Sequence, residues 1–176
     1  FYPRYLWKTR GILEKLCAKL NIRSDQIFNQ PKEYDILFYG CIKPRINPDL
    51  KSKEILSTEP YINFDEYYQF RKRLYNLLKS HDALQKYSIK IIEWVSKNTP
   101  SGTYDTDLFE MISKSKYTIV TNANVQYMVR KYYEVPMSGS IMMGNVPDYA
   151  PTTVKPNMVS LLTVSYTHLT LPTISS

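Results

Sequence analysis

Apolar positions along this chain alternate between two periods. Between residues 7 and 20, Leu13, Leu16, Cys17 and Leu20 fall on one face at helical spacing, which predicts an amphipathic helix. Tyr34 to Tyr39 is a short apolar run closed by Gly40, the pattern of a buried parallel strand followed by a tight turn. The next stretch, Cys41 to Gln69, carries Pro44, Pro48 and Pro60 among charged residues and holds no sustained period. It is an unusually long connection, expected to carry a short helix around Asn63–Tyr68. Beyond it the pattern predicts a helix at Glu66–Ser80, a strand at Ile89–Trp94 and a loop through Thr99–Gly102. A helix at Asp105–Lys114 follows, capped by Asp105 or Thr106, then a strand at Tyr117–Thr121, a helix at Asn124–Tyr133 and a strand at Ser140–Met143. Strands alternating with helices at this spacing imply right-handed βαβ units, so the expected fold class is α/β with a parallel sheet.

The candidate chemistry gathers around the last of these elements. Lys131-Tyr-Tyr-Glu134-Val-Pro-Met-Ser138-Gly139-Ser140 places one carboxylate at the end of a helical pattern with a small-residue turn behind it. An α/β protein holds a sugar nucleotide in this way: a carboxylate accepts hydrogen bonds from ribose hydroxyls, and small residues let phosphate oxygens reach backbone N–H groups. The plain alternatives are a Glu134 that solvates a helix end and a Gly139 that serves a helix C-cap. Arg71, Lys72 and Arg73 are read at the start of a helix, where positive charge opposes the helix dipole unless it faces an anion. Of these, Arg71 is the first choice for a phosphate contact and Arg73 the second, against a solvated basic face opposite buried Leu74, Leu77 and Leu78. Gly40 ends the first strand at the edge where α/β proteins bind ligands, and Lys131 approaches from the other side.

Composition changes this picture in a few respects. With 176 residues and 43% hydrophobic content, the chain suits one domain with a sizeable core, and no apolar run is long enough to cross a bilayer. The net charge of +7 and the pI near 9.2 suit an anionic partner: a nucleotide, a nucleic acid or a membrane surface. The same richness in Lys, Ile, Asn and Tyr is what AT-rich codons produce. Cys17 and Cys41 match no metal-ligand spacing and read as free thiols, which points to a reducing, cytoplasmic setting. No metal or cofactor is expected.

The residues from 32 to about 150 resemble the C-terminal half of GT-B glycosyltransferases of the "glycosyl transferases group 1", spore-maturation-protein-like type. The resemblance rests on Tyr34-Asp-Ile-Leu-Phe-Tyr-Gly40, Phe70-Arg-Lys-Arg-Leu-Tyr-Asn-Leu-Leu-Lys79 and the Glu134 stretch, in that order. It implies a Rossmann-like sheet with helices on both faces and a metal-independent hexosyl transfer from a nucleotide-diphosphate sugar. In that reading Glu134 binds the donor ribose. Ser138, Gly139, Ser140, Arg71, Arg73 and Lys131 hold the diphosphate, and Gly40 lines the pocket. The position of the first glutamate in the paired-Glu families is Gln126 here, a departure that removes the second carboxylate and favours the alternative of a noncatalytic sugar-nucleotide-binding protein. A third reading, a basic nucleic-acid-binding domain, ranks lower because the aromatic residues fall within apolar periodic segments, and no nucleic-acid partner is expected.

The expected organisation is a linker or helix at 1–31 from a preceding N-terminal part, a nucleotide-sugar-binding domain at 32–163 and a non-native tail at 164–176. Ser165-Tyr-Thr-His-Leu-Thr-Leu-Pro-Thr173 resembles a translated sequencing adaptor. The catalytic base is expected in the N-terminal domain, so the fragment alone is expected to bind donor and not to turn over. The acceptor, a glycan, lipid or protein, is left open.

Overall fold

A computed structural model describes residues 2–40, 42, 64–93, 103–121, 130–144 and 158–160. Helix α1 spans Tyr2–Leu20 and is followed by a 3-10 turn at Ser24–Asn29 and strand β1 at Tyr34–Gly40. Helix α2 covers Phe64–Ser80, and a 3-10 turn at Asp82–Leu84 leads into β2 at Ile89–Glu93. The chain continues through α3 at Thr103–Ser113, β3 at Ser115–Val120, α4 at Lys131–Met137, β4 at Ile141–Gly144 and β5 at Met158–Ser160. The described strands form one sheet in the order β2-β1-β3-β4-β5, and every neighbouring pair is parallel. The expected Rossmann-like α/β architecture is therefore present.

Burial explains why β1 reads as an unbroken apolar run. Its alternate side chains enter two separate cores, so neither face is solvated. Ile36 and Phe38 pack with Ile119, Met143, Leu84 and Leu78 on the α2 face. Leu37 and Tyr39 pack on the opposite face with Val120 and Met142, under Leu108 and Ile112 of α3 and Tyr132 and Val135 of α4. The topology follows from the order of strands. The chain leaves β1 for β2 on one side, then returns to β3 on the other, and right-handed crossovers in opposite directions put α2 and α3 on opposite faces. The strand order reverses between β1 and β3, and the carboxyl ends of strands at such a reversal are where open α/β sheets bind ligands.

The helix expected within residues 1–31 is present and packs on the elements that follow it. Ile12 and Leu16 of α1 and Ile27 of the 3-10 turn form a core with Phe109 of α3, making α1 an outer layer of the same domain. At the surface, Lys19 Nζ bridges to Asp107 Oδ1 at 3.0 Å and Glu110 Oε2 at 2.8 Å. The helix expected at Asn124–Tyr133 is observed at Lys131–Met137, continuing through Pro136, and the other boundaries shift by a few residues. β3 begins at Ser115 rather than Tyr117 because the buried Ser115 hydroxyl donates to the Met111 carbonyl at 2.7 Å, satisfying a polar group that breaks the apolar pattern. α3 begins at Thr103, ahead of both expected caps. α2 begins at Phe64, so Arg71, Lys72 and Arg73 lie in its third turn and the expectation that they start a helix is corrected. The 41–69 insertion (apart from Ile42 and 64–69), the Thr99–Gly102 loop, residues 124–129 with Gln126, and the 164–176 tail lie outside the described residues. Among the described residues no helix is long and apolar enough to cross a membrane.

Candidate functional site

The carboxyl end of β1 is where charged side chains converge. Arg71 reaches in from α2, only 5% exposed, with its guanidinium 5.6 Å from the centre of the Phe38 ring and its Nη2 donating to the Tyr39 carbonyl at 3.3 Å. Lys131, at the start of α4 on the opposite face, donates to the same carbonyl and lies 4.0 Å from the centre of the Tyr39 ring. Two cations from two layers thus close over one strand end.

Gly40 makes that closure possible. Its φ of +134° lies outside the range of ordinary L-residues, and a β-carbon there would run into Arg71 Nη2 and lie 3.1 Å from Lys131 Nζ. The last side chain before it links the cations to the carboxylate: the Tyr39 hydroxyl donates to Glu134 Oε2 at 3.1 Å, while Glu134 Oε1 pairs with Arg130 Nε one turn earlier on the chain. Glu134 is 2% exposed and sits within α4, which continues to Met137 through Pro136. It does not end the helix, and both its oxygens meet protein partners.

Burial sets the electrostatics of the cluster. Desolvation pushes the Lys131 ammonium well below its ordinary pKa, Arg71 adds to the shift, and Glu134 opposes it. Desolvation likewise pushes the Glu134 carboxyl up, against the pull of Arg130, the Tyr39 hydroxyl and Lys131. An anion beside Lys131 and Arg71 would reverse the first effect directly, by supplying the charge that burial and Arg71 deny the ammonium.

The other expected diphosphate residues are elsewhere. Ser138, Gly139 and Ser140 precede β4 and so lie at the amino edge of the sheet, opposite the cluster. They form a Schellman cap on α4: Gly139 has φ +76°, its N–H donates to the Pro136 carbonyl at 3.1 Å, and the Ser140 N–H donates to Val135 at 3.3 Å. The Ser138 hydroxyl donates to the Glu134 carbonyl at 2.7 Å, and the Ser140 hydroxyl meets Thr118 Oγ1 at 2.8 Å. Lys32 Nζ donates to the Ser113 and Gly139 carbonyls, both at 2.7 Å, closing this turn against the end of α3. Arg73 is exposed and its Nε donates to the Gln69 carbonyl at 3.4 Å. The structure therefore joins Arg71, Lys131, Gly40 and Glu134 and separates them from Ser138, Gly139, Ser140 and Arg73. Sequence reading missed Tyr39 and Arg130; the i,i+4 spacing of Arg130 and Glu134 was the available signal for the second.

Comparison of the chain with protein-family models, with curated proteins and with solved structures returns no match.

Proposed function

We propose that this chain binds a nucleoside-diphosphate sugar at the carboxyl edge of its sheet, as the donor half of a glycosyltransferase. The observation that carries the reading is the convergence of Arg71 and Lys131 from opposite faces over Gly40, at the point where the strand order reverses. In transfer, the bond from the anomeric carbon to the diphosphate oxygen breaks as the acceptor oxygen bonds to that carbon, and negative charge grows on the departing diphosphate. Fixed cations in a dry setting stabilise that charge with little reorganisation. Arg71 supplies a planar fork and Lys131 a point charge. Glu134 supports the site through Tyr39 and Arg130, and a ribose contact from it would require one of those partners to give way.

A second reading, a noncatalytic binding protein, is favoured by that same engagement of Glu134, since the described carboxylate at the cluster is already held by Tyr39 and Arg130. A panel of UDP, GDP and ADP with their sugar conjugates, scored by thermal shift and by release of the free nucleoside diphosphate with water or glycans as acceptor, tests both. One nucleotide series should raise the melting temperature, and Arg71→Met should abolish the rise. Release of the nucleoside diphosphate favours the transferase, binding without release is the outcome of a donor half whose base lies elsewhere as well as of the second reading, and a folded protein that responds to none contradicts both.

A further inference from the structure

At the end of β3, next to β1, one buried hydroxyl stands apart from the others. Ser115, Thr118, Ser138 and Ser140 are all buried and all hydrogen-bonded within the protein. Thr121 is 3% exposed, yet its Oγ1 has no hydrogen-bond partner among the described residues. A buried hydroxyl in that condition is a net cost to the fold, because it has given up water and gained nothing. Thr9, the other such hydroxyl among the described residues, lies on α1 rather than at a strand end.

Thr121 directly follows β3 at the carboxyl edge already described. Phe38 pairs with Ile119, so continuing the register two residues sets Thr121 beside Gly40 at the carboxyl edge. Alternation from Ile119, which packs in the core beneath α2, turns the Thr121 side chain to the α2 face. That is the face from which Arg71 enters, and the side on which a β-carbon at Gly40 would meet its guanidinium. The Arg71 guanidinium, over the end of β1, and Thr121, just past the end of β3, therefore lie on the same face of neighbouring strands.

We infer that Thr121 is a further ligand-binding residue, whose hydroxyl donates a hydrogen bond to a phosphate oxygen of the anion held by Arg71 and Lys131. The inference rests on the proposed anion site and deepens it: the apo protein carries the cost of an unused donor, and the bound phosphate removes it.

The test uses the full chain, with calorimetric titration of UDP and of inorganic pyrophosphate into wild type, Thr121→Val and Thr121→Ser. Valine has nearly the shape of threonine and lacks the hydroxyl. Thr121→Val should melt at or above the wild-type temperature and bind both probes about tenfold more weakly, the effect of one hydrogen bond to a charged acceptor. Thr121→Ser should restore most of the affinity. Equal affinity of Thr121→Val and wild type overturns the inference while leaving the anion site standing. A lower melting temperature in Thr121→Val overturns it as well, by showing a structural role for the hydroxyl. Failure of wild type to bind either probe overturns both.

Discussion

Lys131 shows most plainly how a single residue is shaped by its surroundings. A lysine enclosed beside an arginine binds its proton less readily in the folded chain than in the unfolded one, so the unfolded state takes up a proton the folded state lacks. Stability of the ligand-free protein should therefore rise with pH from the lowered folded pKa of Lys131 up to its ordinary value near 10.5. Glu134 acts with the opposite sign. Its raised pKa makes the folded state the better proton binder, so its contribution falls as pH rises from the ordinary 4.5 through its folded value. The groups facing Lys131 are Arg71 from α2 and Glu134 from its own helix, with Tyr39 between them. Lys131→Met should remove the alkaline rise and leave the acid limb in place, as read from the difference between wild-type and mutant melting curves across pH. Identical curves would show that the ammonium is not held in the dry setting described. Of this cluster, Arg71, Lys131, Gly40 and Glu134 stand out in the sequence by residue type, and Gly40 also by its place at the end of an apolar run. Arg71 nevertheless lies in the third turn of its helix and Glu134 within α4, rather than at the helix ends expected. Tyr39 does not stand out, because its contribution is a carbonyl and a hydroxyl inside an apolar strand.

The elements were read well where both faces of the sheet are buried and poorly where a polar side chain completes a structural bond. β1, β2 and β4 came within about a residue of their expected bounds; for β1, buried on both faces, the reason is its uninterrupted apolar run, while β2 is only partly buried and interrupted by Lys90. The Ser138–Ser140 turn misled in the opposite way. A small-residue turn after a helix looks the same in sequence whether it wraps a phosphate or caps the helix, and only the strand order reveals that this one lies at the amino edge. There it makes an element-level clamp: Lys32 caps the carbonyl ends of α3 and α4 together, placing a cation where the two helix dipoles are negative. Burial lowers its pKa, a sign that this ammonium gives up hydration to make the contacts. Lys32→Met should lower unfolding stability by about 2 kcal/mol, as loss of a charged donor to two carbonyls predicts, while leaving UDP affinity unchanged. Urea denaturation and a parallel titration measure the two quantities. A mutant that loses affinity without losing stability would move the ligand to the amino edge.

At the scale of the molecule, a net charge of +7 attracts any anion, and a basic surface alone would give weak binding of nucleotides or nucleic acid that fades with salt. The account requires more than that: a site at the reversal of strand order, where two buried or part-buried cations meet over a glycine, with α1 and α3 backing the sheet on one face and α2 on the other. Global charge and local site are separable because Arg73 and Lys131 carry the same charge in different places, one exposed on α2 and the other within the cluster. The most direct measurement is calorimetric titration of UDP into wild type, Lys131→Met and Arg73→Met at matched ionic strength. The account predicts saturable binding of one UDP per chain by wild type and by Arg73→Met, and its loss in Lys131→Met. Equal weakening in the two mutants, or no saturable binding by wild type, would contradict it.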